Sequence, residues 1–307
     1  MRIAVIGAGG VGGVFGSALA KAGADVTFVA RGAHLAAMRE KGLRVEGGRG
    51  ETLVRPAQAT DDPASIGPVD LVLFCVKLWD VESAGERIRP LLGADTAVIP
   101  LQNGIDASER LAPILGAGAV MGGVAQVSAT IAEPGVVRQT GTLQKLVFGE
   151  LDGTSRPRGP RFLALCRQAG FDAELTEDIQ RSLWEKFVLL VAMSSITAVT
   201  RLPVGKLRDD PDLQALYRTV MGEVTALGRA RGVALAPDLP ERLLVAVRSF
   251  PPTGMASMAV DLLRGNRIEL PWLAGKVAAL GREMGIPTPA TTTLYAALKP
   301  YVTGAPA

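Results

Sequence analysis

The chain has 307 residues, enough for one large or two ordinary domains, and 48% of them are hydrophobic, ample for a packed core and too many for an intrinsically disordered protein. A net charge of +3 and a pI near 9.0, with both signs interspersed, argue against nucleic acid as a partner and mildly favour an anionic ligand. Two cysteines, Cys75 and Cys166, lie far apart and outside any metal-ligand spacing, so neither a disulfide scaffold nor a metal site is expected, and a reducing cytoplasm fits.

The apolar, β-branched run 3–6 reads as a buried strand, and small residues from 14 to 22 read as a helix. Between them stands Gly7-Ala8-Gly9-Gly10-Val11-Gly12, a G-x-G-x-x-G turn in the strand-to-helix setting where it signals dinucleotide binding. Gly7 allows the tight turn, Gly9 lets the backbone approach a pyrophosphate, and Gly12 lets helix pack on strand. The helix N-terminus then offers free N–H groups and a positive dipole end to the phosphates, so Gly7, Gly9, Gly10, Val11 and Gly12 are the expected cofactor-binding residues. This run lacks a cleavage-site pattern and is not expected to be a signal peptide.

A second strand, 25–30, ends at Arg31. An acidic residue there would hold the ribose hydroxyls of NAD, whereas an Arg accommodates the 2′-phosphate of NADP, so NADP is the expected cofactor. His34, the single histidine, is expected at the surface near the adenosine end. Two short strands are expected within 42–57. The run 69–76 reads as a central parallel strand ending at Lys77, on the sheet edge where ligands bind. A helix over 81–92 and a strand over 97–101 follow, and the latter ends in Gln102-Asn103-Gly104 at the same edge. A helix over 107–115 precedes strands at 120–127 and 136–148, the latter a hairpin bracketing Gly141.

The uncharged stretch 111–132 is long enough to span a bilayer, but Pro113, Gly116, Gly118, Gly122, Gly123, Gln126 and Ser128 fit a loop and a buried strand better, and no membrane is expected. A polar loop at 151–161, a helix at 161–168 and a strand at 171–175 complete an α/β, doubly wound sheet. Beyond Thr176 strand signals vanish, and helices are expected over 178–199, 212–231, 240–248, 255–263, 271–284 and 291–299. The composition therefore divides the chain into a Rossmann-type domain, 1–176, and an all-α domain, 177–307, whose apolar character makes a homodimer plausible.

The helix 178–199 carries no charge from Phe187 to Thr200, so it should be buried nearly all round. Lys186 sits near its start, and burying a lysine is costly unless the charge is paired. Lys186, Leu190 and Ser194 share one face. With a single histidine placed elsewhere, a lysine is the natural general acid.

With these motifs the whole chain resembles the ketopantoate reductase (2-dehydropantoate 2-reductase) family. The resemblance rests on the opening glycines, Arg31, Lys77 after Cys-Val, Gln102-Asn103-Gly104, Trp184-Glu185-Lys186, Ser257-Met258 followed by Asp261, Arg267-Ile268-Glu269 and Gly285-Ile-Pro-Thr-Pro289. It implies a Rossmann domain joined to a helical domain, as in 6-phosphogluconate dehydrogenase, and reduction of a small 2-oxo acid with NADPH. It also implies Lys186 as general acid, Glu269 as the residue holding substrate and setting the lysine's charge, and Asn103 as orienting substrate and nicotinamide. Ser257 would bind the carboxylate end, and Lys77 would contact both cofactor and substrate.

The chain departs from the family's usual asparagines at Leu190, Ser194 and Gly254. Ser194 retains a hydroxyl for substrate; Leu190 and Gly254 offer no polar side chain. Three readings follow: reduction of ketopantoate, the same chemistry on a more apolar 2-oxo acid or carbonyl compound, or a non-catalytic NADP-binding sensor or scaffold.

Overall fold

A computed structural model describes residues 1–305 and forms two compact units, Met1–Gln102 with Asp106–Ile179, and Asn103–Ile105 with Gln180–Ala307. The three residues Asn103 to Ile105 thus pack with the helices, although the composition break near Thr176 would assign them to the sheet domain.

The first unit runs β1 (Arg2–Ile6), α1 (Gly10–Lys21), β2 (Asp25–Val29), α2 (Gly32–Lys41), β3 (Leu43–Gly47), β4 (Thr52–Val54), β5 (Gln58–Thr60), β6 (Val69–Phe74), α3 (Val81–Arg87), β7 (Leu92–Pro100), α4 (Ala107–Leu115), β8 (Met121–Glu133), β9 (Val136–Glu150), α5 (Arg158–Gln168) and β10 (Asp172–Leu175). Strands β5-β2-β1-β6-β7 form a parallel sheet wound in both directions from β1. The apolar runs of β1 and β6 are buried on both faces, as parallel strands under helices must be. A second sheet, β10-β9-β3-β4 with β8 paired to β9, joins the first through a bridge from Val98 to Val120.

Helix α1 lies between the two sheets, which explains its small residues. A Cβ at Gly12 would overlap the Gly7 carbonyl and reach 2.8 Å from Val5 Cγ1, and one at Gly13 would lie 2.8 Å from Val137 Cγ2. On the sheet side Phe15 is fully buried and meets Phe171 edge-on at 5.1 Å.

Three sequence expectations change here. The helix expected over 81–92 stops at Arg87, because Pro90 supplies no N–H to continue it. Gly141 does not turn a hairpin. The turn is Pro134-Gly135, β9 is one long strand, and Gly141, with φ at +70°, lies where the β8–β9 register slips between Val127 and Ser128. The helix expected from 271 begins at Ala274, after a 3-10 turn over Leu270–Trp272.

The second unit comprises α6 (Ile179–Thr200), α7 (Pro211–Ala230), α8 (Leu239–Ser249), α9 (Ser257–Leu263), α10 (Ala274–Met284) and α11 (Pro289–Leu298). Among the described residues α6 alone is long and apolar enough to cross a bilayer, and 67% of its most apolar window is buried within the structure. Trp184 and Phe187 of α6 meet edge-on at 5.7 Å. Glu223 of α7 accepts from the N–H groups of Ala290 and Thr291 and from the Thr291 hydroxyl, a carboxylate cap that fixes the start of α11.

Candidate active site

In the sheet unit the glycine turn leads from β1 into α1. The N–H groups of Gly7 and Ala8 both donate to the Val29 carbonyl, at 3.0 and 3.2 Å, seating the turn on the end of β2. Gly7 has φ at +95°, and a Cβ there would press on the Cys75 carbonyl, so this position requires glycine. A Cβ at Gly9, by contrast, would meet nothing within 4 Å. The first backbone bond of α1 runs from Gly13 N–H to the Gly9 carbonyl, so the N–H groups of Gly10, Val11 and Gly12 have no intrahelical partner. Gly10 itself packs against the Ala129 carbonyl of β8, and Val11 is half-buried. The turn therefore offers an open side and several free donors, a fit for the pyrophosphate of a dinucleotide.

Arg31 stands two residues beyond β2 as the N-cap of α2, exposed, with no side-chain cap bond. Lys77, at the carboxyl edge of β6, is exposed, with its Nζ 5.6 Å from the Trp79 ring centroid. Gln102 ties this edge together by donating from Nε2 to the carbonyls of Phe74 (2.9 Å) and Val76 (3.0 Å).

His34 is not a surface residue. It is half-buried, its Nε2 lies 2.9 Å from the Ala8 carbonyl, and its Nδ1 accepts from the Gly135 N–H at 3.1 Å. A carbonyl can only accept and an amide N–H can only donate, so the two partners fix the neutral ring with its proton on Nε2. Burial pushes the imidazole pKa down, and the bond to Ala8 opposes that shift. The sequence carried no signal for this role beyond the histidine being alone.

In the helical unit three of the expected residues converge. Lys186, half-buried on α6 two residues after Trp184, donates from Nζ to Asn103 Oδ1 at 3.1 Å. Glu269, only 7% exposed, precedes the 3-10 turn Leu270–Trp272 and its charge acts on the lysine. Burial pulls the Lys186 pKa down to about 8, while the Glu269 carboxylate holds it up. The ammonium form thus persists at neutral pH yet gives up its proton far more readily than a free lysine. Arg267 places its guanidinium 6.0 Å from the Trp272 ring centroid.

Leu190 is half-buried one turn beyond Lys186. Ser194 follows about 12 Å along the helix axis, counted at 1.5 Å per residue. It is fully buried, and its Oγ has no hydrogen-bond partner among the described residues. Ser257 is exposed at the first residue of α9. Gly254 lies in a loop held by Val204 N–H on its carbonyl at 2.8 Å and by Gly205 N–H on the Pro252 carbonyl at 2.9 Å. Among the described residues no group of three His, Cys, Asp or Glu side chains is arranged to hold a metal ion.

The family model described as "Ketopantoate reductase PanE/ApbA" matches residues 3–153, and "Ketopantoate reductase PanE/ApbA C terminal" matches residues 178–302. A 2-dehydropantoate 2-reductase of Halobacterium salinarum is 33% identical over 96% of this chain and 96% of its own. Among solved structures, a PanE/ApbA family ketopantoate reductase from Ralstonia eutropha superposes with a TM-score of 0.90 at 34% identity, covering 98% of both chains. A 2-dehydropantoate 2-reductase from Geobacter metallireducens gives a TM-score of 0.92 at 31% identity, over 97% of this chain and 99% of its own.

Proposed function

This chain belongs to the ketopantoate reductase family, a family of oxidoreductases, and we propose that it uses NADPH to reduce a 2-oxo acid to the 2-hydroxy acid, with 2-dehydropantoate, the precursor of pantoate, as the substrate. The observation that carries the proposal is Lys186, set between the Asn103 carbonyl oxygen and the charge of Glu269 with its pKa drawn down to about 8. When bound, the dinucleotide supplies the hydride. The free N–H groups at Gly9 to Gly12 hold its pyrophosphate, and Arg31 holds its 2′-phosphate.

Reduction turns the oxo oxygen into an alkoxide, which must be protonated. Asn103 Oδ1 orients the ammonium by accepting one of its three protons. Lys186 gives a proton to the oxygen as charge develops on it, and Glu269 keeps the lysine charged until that moment. Ser257, exposed at the start of α9, meets the carboxylate end of the substrate, and the exposed Lys77 at the sheet edge serves the cofactor.

A second reading keeps this chemistry and changes the substrate. Leu190, on the Lys186 face of α6, presents methyl groups where the family usually has an amide, and Gly254 has no side chain at all. Each hydrogen bond lost to a polar substrate costs about 1–3 kcal/mol, which favours a more apolar 2-oxo acid. A sensor without catalysis has no need of a lysine paired in this way. The test is oxidation of NADPH by the purified protein with ketopantoate beside a panel of branched and aromatic 2-oxo acids. Turnover of ketopantoate above the panel supports the first reading, and preference for an apolar acid supports the second. Tight NADPH binding with no turnover of any 2-oxo acid would overturn both.

A further inference from the structure

The glycine turn is held by a residue outside it. His34 Nε2–H donates to the Ala8 carbonyl at 2.9 Å, while the Ala8 N–H is held by Val29 at 3.2 Å. The Ala8 carbonyl and the Gly9 N–H belong to one planar trans peptide, so they point in opposite directions. Pulling the carbonyl toward His34 turns the Gly9 N–H away from it. That N–H donates to no backbone group among the described residues, and the space beside Gly9 is open.

The ring's other nitrogen anchors it from behind. Nδ1 accepts from Gly135 in the β8–β9 turn, and the same hairpin packs its Ala129 carbonyl on Gly10 and Val137 on Gly13. His34 therefore joins the turn to a rigid strand pair through one side chain whose two nitrogens do different work.

We propose that His34 is a positioning residue that aims the Gly9 N–H at the dinucleotide pyrophosphate by holding the Ala8 carbonyl. This rests on the reading above that the glycine turn binds a dinucleotide. Its function is affinity for the diphosphate and not general support of the fold, and two substitutions separate these. In His34→Asn the side-chain oxygen stands where Nδ1 was and keeps the Gly135 bond, but nothing reaches Ala8. In His34→Gln the amide nitrogen stands near Nε2 and keeps the Ala8 bond, while the Gly135 acceptor is lost.

The experiment is a fluorescence titration of wild type and both variants with NADPH, and a competition titration with adenosine 2′-monophosphate, which lacks the pyrophosphate. His34→Asn should weaken NADPH about tenfold or more, the size of one well-placed hydrogen bond, and leave the mononucleotide unchanged. His34→Gln should bind NADPH within about threefold of wild type. Equal NADPH affinity in His34→Asn and wild type would overturn the proposal. So would parallel loss of both ligands, or loss of NADPH affinity in His34→Gln, which decides the matter alone if His34→Asn does not fold. Wild-type protein that binds no dinucleotide would instead overturn the reading beneath it, and the proposal with it.

Discussion

Lys186→Ala is expected to lower turnover of the oxo acid by about 10²- to 10⁴-fold, the contribution of a positioned general acid, with the dissociation constant for NADPH nearly unchanged. The glycine turn and Arg31, which are proposed to hold the cofactor, belong to the sheet unit, whereas Lys186 sits on α6 of the helical unit. The substitution also strips a buried carboxylate of its opposing charge, since Glu269 is 7% exposed and its field acts on Lys186. Leaving one partner of such a pair alone commonly destabilises by about 3–5 kcal/mol. A melting curve must therefore accompany the kinetics. The double variant Lys186→Ala, Glu269→Gln is expected to recover most of the lost stability while staying inactive, because it removes the stranded charge without restoring an acid. Wild-type turnover in Lys186→Ala would end the proposed role.

Arg31→Ala should weaken NADPH by about 10- to 100-fold, the worth of a charge-assisted bond of roughly 1.5–3 kcal/mol, and leave NADH within about twofold. The side chain is exposed and provides no cap to α2, so its loss carries little cost in folding. Titrating both dinucleotides against the variant checks this. Equal losses for NADH and NADPH would remove Arg31 as the reader of the 2′-phosphate, and NADP would lose its sequence argument.

Much of the fold was legible because period and punctuation agreed. The apolar runs at β1 and β6, the glycine turn between strand and helix, and the disappearance of strand signals after Thr176 each follow from local chemistry. The β8–β9 hairpin was misread because two glycines compete for the turn. Pro134 beside Gly135 forms it, while Gly141 absorbs a register slip, and composition alone does not distinguish a turn from a bulge.

Lys186 stood out as the last charge before the uncharged run 187–200 of its helix, but its partner Asn103 lies 83 residues away and no periodicity links them. The family resemblance gave each of them a role, Lys186 as general acid and Asn103 in orienting substrate and nicotinamide, but not this bond between them. His34 was illegible for the same reason in stronger form. Its two partners, Ala8 and Gly135, are backbone groups 26 and 101 residues distant, and a backbone acceptor leaves no mark in the sequence.

The central claim is that Lys186 is the proton donor and that Glu269 sets its charge. The most direct measurement is kcat/KM for the oxo acid against pH, in wild type and in Glu269→Gln. Burial draws the lysine down to about 8 and Glu269 holds it up, so wild-type reduction should be level below that pH and fall about tenfold per pH unit above it, as the ammonium is lost. Removing the carboxylate's charge should move this fall to lower pH by about one pH unit or more. A profile that stays level through pH 8, or a fall that Glu269→Gln leaves in place, would contradict the account.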